Sequence, residues 1–540
     1  MPVLPPKTNF NRLDKIRCIA QSVPSTLTGN EAMPAATYKT QKNDPVAVID
    51  IGSNAVRLVI YDGLLRCPLR THTERLVCGL GRSMMQTGCL DPDGAAQAMD
   101  ALARFAGILD ALKIKTVLPL ATAALRDAQD GPKFIAAVKD KYNIDIQVIS
   151  GTEEARLSAL GVIAGFGDIS GIVGDFGGGS LELIAVDGRK ITDQETLPVG
   201  ALRIMALGSP QDREDYILDH LSKIGLLKTH RQQNFYVLGG AWRTLARAHI
   251  HINGYPVPVI DHYTVRLAPA LEFTELLARQ SPASLERMAG LSARRARDIP
   301  SAALVMHHIL KALKPKNILF SGTGLREGVI FDRLSAAEQK RHPLLTACSD
   351  IGEKTNRLGC IKPFHHMAEW LRPLFAESKI AEMDIILESA CLLSDIGWYE
   401  HEDHRAANAY RRMMCMPLYG LSHRKRAILA LALFVRYQGY LRRAPRNEVT
   451  EDEITAPAQT ILTRAEVDSA VQLGLAIRMA HLLTGSVLPL LHDAELRLTD
   501  KVLRLVLRGK AVALSGHVIQ EALADLAKFH KCRPMITRVQ

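Results

Sequence analysis

The sequence is short of cysteine and of long apolar runs, and each shortage removes a class of protein. Nine cysteines among 540 residues form no C-x-x-C pair and no metal-type spacing. A disulfide-stapled scaffold and a cysteine zinc module are thereby disfavoured, and reduced thiols are expected. No run of about 18 uninterrupted apolar residues occurs, so no segment reads as a membrane-spanning helix. The first 43 residues mix Pro, Ser, Thr, Asn and Lys without periodicity and lack the order of a secretory signal. They are expected to form a flexible extension, and the chain is expected in the cytoplasm. No G-x-x-x-x-G-K-[ST] loop is present, which disfavours a Walker-type ATPase. Acidic residues are missing altogether between Asp403 and Glu448.

What is present is a globular composition, 47% hydrophobic, in a chain long enough for about three domains. Sixty-seven Lys and Arg against 56 Asp and Glu leave a formal net charge of +11. Such a balance favours a polyanionic partner without choosing among nucleic acid, membrane and phosphate.

Sliding the sequence along itself until residue 50 falls on residue 175 sets DIGSNAVRLVIYDG (50–63) beside DFGGGSLELIAVDG (175–188). Asp50 meets Asp175, Gly52 meets Gly177, Leu58 meets Leu183, and Asp62-Gly63 meets Asp187-Gly188. Both copies read strand, Asp-x-Gly turn, strand, which predicts duplicated β-hairpins. Gly52, Ser53 and Asn54 in one turn, and Gly177, Gly178, Gly179 and Ser180 in the other, are residue types that reach positive φ. They can gather backbone N–H groups into a hollow for phosphate oxygens. A carboxylate ending the first strand of each copy would repel those phosphates unless a cation such as Mg²⁺, or another divalent ion, sat between them. A single Asp-x-Gly is equally an Asx-capped turn; two in register favour the cation reading. Arg57 and Arg126 are read as holding phosphates, because a guanidinium fork matches a phosphate edge; for Arg126 a surface arginine after a helix start is the bland alternative. Arg203 is a weaker candidate. GTEEAR carries Glu153 and Glu154 at a helix start, about 100° apart, so only one of them faces a cleft.

These two hairpins resemble the phosphate-binding hairpins of the actin, sugar kinase and Hsp70 superfamily. LATAALRDAQD (120–130), VISGTEEARLSALGV (148–162), LPVGALRI (197–204) and FSGTGLREGVIFDRL (320–334) narrow the resemblance to the exopolyphosphatase and guanosine pentaphosphate phosphohydrolase (Ppx/GppA) family, over roughly residues 44 to 335. The resemblance implies two actin-like (ribonuclease H-like) α/β domains with an interdomain cleft, residues 44–165 and 166–335, after the extension 1–43. An all-α, HD-like domain, 336–540, follows. It implies metal-dependent hydrolysis of the terminal phosphate of inorganic polyphosphate, with Glu154 orienting water and Asp50, Asp175 and Glu182 near the metal. Glu153 is the runner-up to Glu154. Hydrolysis of guanosine pentaphosphate to the tetraphosphate is the close alternative, and a nucleotide- or alarmone-binding actin-like switch is the alternative from another class. VLGGAWRTLARAH (237–249) and FSGTGLREGVI (320–330) present further glycine turns, which in kinases of the superfamily approach a nucleoside and which here are read as closing the cleft.

Beyond residue 335 the pattern becomes amphipathic and helical. Where an HD site would place adjacent His and Asp, this chain has Ser394 and Asp395, so His365, His366, His401 and His404 are read as structural or surface residues rather than a metal set. The acid-free run holds Arg405, Arg411, Arg412, Arg424, Lys425, Arg426, Arg436, Arg442, Arg443 and Arg446. It is read as a polyphosphate track, the bland alternative being a solvated basic face. No nucleic-acid motif accompanies it. A homodimer is expected from length and apolar helical surface.

Overall fold

A computed structural model of the chain describes residues 44–289, 293–439 and 451–539; the expected extension, 1–43, lies outside them. The first sheet contains β1 (Val46–Ile51), β2 (Val56–Tyr61), β3 (Arg70–Leu76), β4 (Thr116–Ala121) and β5 (Gln147–Val148), in the order β3-β2-β1-β4-β5. Strands β3-β2-β1 are antiparallel and β1-β4-β5 parallel. Central β1, VAVIDI, buries every side chain except Asp50, as a strand covered on both faces must. Edge strand β3, RTHTERL, keeps polar groups in water.

The second sheet contains β6 (Ile169–Phe176), β7 (Leu181–Gly188), β8 (Lys190–Leu197), β9 (Asn234–Leu238), β10 (Tyr263–Arg266) and β11 (Asn317–Phe320), in the order β10-β11-β9-β6-β7-β8. Its β8-β7-β6-β9-β11 portion repeats the first sheet's order and directions, and β10 is added antiparallel at the edge. The duplication read in two hairpins is therefore a duplication of whole sheets. Register matches as well: Asp50 lies opposite Arg57, and Asp175 opposite Glu182. Gly52 N–H donates to Ala55 O at 3.1 Å, and Gly177 N–H to Ser180 O at 3.0 Å.

Four helices position the site: α1 (Ala123–Asp127), α2 (Gly151–Phe166), α3 (Gly240–Ile252) and α4 (Leu325–Asp332). Ser150 caps α2 by accepting the Glu153 N–H, and two glutamates in the first turn complement the helix dipole. Helices α2 and α4 meet backbone to backbone. A Cβ at Gly161 would lie 2.0 Å from Gly324 O, and one at Gly328 would lie 1.8 Å from Leu157 O. Only glycine permits this approach, and it locks the two helices that begin at the cleft.

The C-terminal part is helical, as expected, with α5 (Met383–Leu392), α6 (Glu402–Cys415), α7 (His423–Gln438) and α8 (Arg464–Thr484) sharing one apolar core. One addition to the all-helical expectation is a three-stranded sheet of β12 (Ala494–Leu498), β13 (Val502–Leu507) and β14 (Arg533–Arg538). AELRLTDKVLRLVL alternates apolar and polar residues around a Thr-Asp-Lys turn, so its hairpin has a readable cause. This part packs on the α/β body: Gly420 N–H donates to Gly165 O at 2.6 Å and Tyr419 OH to Pro68 O at 3.4 Å. Among the described residues no helix is long and apolar enough to cross a membrane.

Candidate active site

The two glycine turns face each other. A Cβ at Gly178 would lie 3.3 Å from Ser53 Cβ, and one at Gly179 would lie 3.3 Å from Ser53 Oγ. The expected positive φ is absent: none of residues 52–54 or 177–180 adopts it. Glycine serves closeness here instead, since the second turn is also pressed by Gly200, whose Cβ would fall 2.4 Å from the Gly179 carbonyl carbon. The N–H groups of Ser53, Asn54, Gly178 and Gly179 have no partner among the hydrogen bonds of the described residues. They are free for phosphate oxygens. A cavity of about 160 Å³ opens beside Ser53, Gly178 and Gly179, with Arg82, Asp127 and Arg203 in its walls.

Carboxylates crowd the cleft unevenly. In the first hairpin Asp50 has cations at hand, Arg57 at 3.7 Å and Arg326 at 3.9 Å. In the second, Asp175 faces another acid, Glu182, across the strand pair. Ser158 Oγ donates to Asp175 Oδ2 at 2.7 Å, while Glu182, 1% exposed, keeps one carboxylate oxygen without a partner. Glu154 enters from α2, with Arg126 Nη1 3.3 Å from its Oε2. Burial, and then the Asp175 charge, push the Glu154 carboxyl up to about 7 against the pull of Arg126. Burial also raises Asp175, and raises Glu182 strongly with help from Glu154 and Asp175. Glu153 points elsewhere, bound at 2.8 Å to Arg156, which also holds Asp332.

Among the described residues no three acidic, histidine or cysteine side chains converge closely enough to hold an ion by themselves. Magnesium rarely asks for that: it takes one or two carboxylates and completes its shell with water and phosphate oxygens. The unpartnered Glu182 oxygen beside Asp175 fits such a donor set, whereas Asp50 is already matched by arginines.

Arg126 also donates to Ile149 O at 3.2 Å and to Asp127 at 3.1 Å, and Arg203 reaches Asp127 at 3.5 Å. Three functional-looking side chains escaped the sequence reading. Arg326 approaches Asp50 from α4; its neighbour Glu327 accepts from Tyr61 OH (2.6 Å), Arg70 (2.8 Å) and Gly324 N–H (3.0 Å). Burial opposes the Glu327 charge, yet Arg70 and Arg326 overcome it and hold the carboxyl down at about 2. Arg243, in the first turns of α3, donates to carbonyls just past the end of β11. The available signal was a charged residue two or three positions after a glycine turn, at 243 and at 326–327.

The proposed polyphosphate track requires correction. Arg426 is fully buried and donates to Met413 O (2.8 Å) and Met416 O (2.7 Å). Arg424 pairs with Glu466, Lys425 with Glu382 at 2.6 Å, and Arg412 with Glu400 at 2.7 Å. Arg405 donates to Glu400 O at 2.8 Å, and Arg411 is exposed. The stretch is acid-free in sequence but not in space, because acids from outside it fold onto it. Arg442, Arg443 and Arg446 lie outside the described residues. At the HD-like position Asp395 is held by Arg357 at 2.9 Å and faces Arg436 at 3.4 Å, while Ser394 Oγ and His481 Nε2 are 3.0 Å apart. His365 pairs with Glu388, His366 stacks on His492, and His401 lies beside His404 at the start of α6.

Two duplicated sheets, a cleft between glycine turns with free N–H donors, and acids and arginines lining it define an actin-like phosphate-handling enzyme. The model of the Ppx/GppA phosphatase family matches residues 70–337, and that of the exopolyphosphatase C-terminal region matches 361–535. The chain belongs to the Ppx/GppA family and is a phosphohydrolase. Exopolyphosphatase 1 of Mycobacterium tuberculosis is 25% identical over 308 residues, covering 54% of this chain and 88% of its own. Retrograde regulation protein 2 of Saccharomyces cerevisiae is 23% identical over 444 residues, 73% of this chain and 72% of its own. The crystal structure of an exopolyphosphatase from Cytophaga hutchinsonii is similar at 25% identity, covering 53% of this chain and 96% of that one with a TM-score of 0.48. Phosphatases of this family depend in general on a divalent metal.

Proposed function

We propose that the chain is an exopolyphosphatase, releasing orthophosphate from the end of inorganic polyphosphate. The observation that carries this reading is the placement of Glu154 beside Arg126 in a cleft whose glycine turns offer unpartnered N–H groups. In this reading the N–H groups of 53–54 and 178–179 bind oxygens of the terminal phosphoryl group. Arg57 and Arg126 steady its charge, and Glu154 orients water in line and accepts its proton. The new P–O bond forms to that water as the bridging P–O bond breaks, and the shortened chain leaves as the anion. Asp175 and Glu182 are the residues that would hold Mg²⁺, which supplies charge neutralisation of the phosphoryl oxygens when bound. The division into 44–165, 166–335 and 336–540 belongs to the same reading, supported by one sheet falling on each side of residue 165.

Polyphosphate is preferred over guanosine pentaphosphate because named relatives are exopolyphosphatases. The basic stretch after Asp403 no longer argues for it. Purified protein should release phosphate from long polyphosphate with a higher kcat/KM than from guanosine pentaphosphate; the reverse order would replace the substrate. Glu154→Gln should lower kcat by about 10²- to 10⁴-fold while polyphosphate binding persists, and an active variant would remove Glu154 from its role.

A further inference from the structure

Ligands of α/β sheets lie against the carboxyl ends of parallel strands. Strands β6, β9 and β11 are parallel neighbours, and their ends carry turns at 177–180, 239–240 and 321–324. The first turn presents free N–H groups and is the phosphate hollow. The other two stand where any ligand extending past the phosphates over this sheet would rest.

Every main-chain N–H and carbonyl of the 321–324 turn already has a partner. Ser321 N–H donates to Val237 O, Gly322 N–H to Asp261 Oδ1 (2.6 Å), Thr323 N–H to Ser321 Oγ (3.2 Å) and Gly324 N–H to Glu327. Its carbonyls are taken too: Gly322 O accepts from Arg70 (3.2 Å) and Gly324 O from Gly328 N–H (2.9 Å). Arg243, one turn into α3, completes the closure by reaching from the end of β9 to the end of β11. Its Nε donates to Ser321 O at 2.8 Å and its Nη2 to Thr323 O at 3.1 Å. A Cβ at Gly324 would already lie 3.1 Å from Leu238 Cδ1 and 3.6 Å from Arg243 Nη2, so the guanidinium occupies the gap between the turns. Its charged neighbours include Arg326, Glu327, Asp175 and Arg57.

Resting on the polyphosphate reading, we propose that Arg243 is a specificity-determining residue: its guanidinium rivets the 239–240 and 321–324 turns together and fills the space a nucleoside would need, so the cleft takes a bare phosphate chain. Nothing in the reaction requires this residue to move a proton or touch the scissile bond. Its effect is exclusion, and it adds a third guanidinium beside Arg57 and Arg326.

The test uses the full chain as wild type, Arg243→Ala, Arg243→Gln and Arg243→Lys, with direct binding of ATP and GTP by calorimetry and separate assays of phosphate release from long polyphosphate. Removing the fork from Ser321 and Thr323 should tighten nucleoside triphosphate binding by at least about tenfold and raise the KM for polyphosphate. Arg243→Lys, which keeps charge but cannot span both carbonyls, should fall between. If the alanine variant does not fold, Arg243→Gln, shorter than arginine and unable to span both carbonyls, takes its place and should move both constants in the same directions; unchanged nucleotide binding in a folded Arg243→Gln would overturn the proposal. Wild-type protein that already binds GTP as tightly as any variant, or that turns over guanosine pentaphosphate as readily as polyphosphate, would overturn the proposal. Absence of phosphate release from polyphosphate by the wild type would sink the substrate reading instead, and the nucleotide titrations would still judge Arg243.

Discussion

In the proposed reaction Glu154 must be ionised to act as general base, yet its burial beside Asp175 favours the protonated form, with the carboxyl raised from 4.5 to about 7. Between those values the folded chain holds a proton that the unfolded chain has released. Stability contributed by that proton is complete below pH 4.5 and is lost as pH rises through about 7. Glu154→Gln cannot ionise and escapes the loss. The variant should therefore be more stable than wild type at pH 8, by on the order of 1–3 kcal/mol, and no more stable at pH 4.5. Denaturant unfolding at the two pH values checks this, and equal differences at both would contradict it. Glu153 offers an internal control: paired with Arg156 on the outer face, its substitution by Gln should leave that pH dependence in place.

At the scale of elements, the site depends on helices α2 and α4 touching at Gly161 and Gly328. Helix α2 brings Glu154 and Ser158, and α4 brings Arg326 and Glu327, so their spacing sets the distance between Glu154 and Arg326. Gly161→Ala or Gly328→Ala would drive a methyl group to within 2.0 Å of a main-chain oxygen that no rotamer change can move. Each should destabilise the protein by about 1–3 kcal/mol or more, and each should lower kcat beyond what the lost folded fraction explains. Thermal unfolding and activity corrected for folded protein separate the two effects. Much at this scale was legible: the strand, turn, strand repeat exposed the sheet duplication because register and turn geometry are local properties. The glycines of α2 and α4 could not be read the same way, since their cause is a neighbour more than a hundred residues away. The basic stretch misled for the same reason, because Glu382, Glu400 and Glu466 reach it only through folding. Arg326, Glu327 and Arg243 were visible as charges beside glycine turns, but nothing local said that they converge.

Across the whole molecule, a histidine of the helical part reaches Asp261, the residue whose side chain holds the 321–324 turn. His423, at the start of α7, places Nδ1 3.1 Å from Tyr255 OH and Nε2 3.1 Å from Asp261 O, and the Asp261 side chain holds Gly322 N–H. Burial, helped by Arg426, pushes the His423 pKa down to about 4 from 6.5. The groups around it include Arg426 and His262, which oppose its protonation, and Asp261, which favours it. Above pH 6.5 the contact is intact; as pH falls from 6.5 towards 4 the unfolded or undocked chain gains a proton that the docked one refuses, and docking weakens. Other buried histidines, His481 among them, shift in the same direction, so a global melting curve would not isolate this contact. Amide exchange at Gly322 does: its protection should fall as pH is lowered from 7 to 5, after correction for intrinsic exchange, and should lose that dependence in His423→Gln. Unchanged protection at Gly322 over that range would mean that the helical part and the glycine turn are not coupled through this side chain, and that the cleft keeps its shape independently of what is docked beneath it.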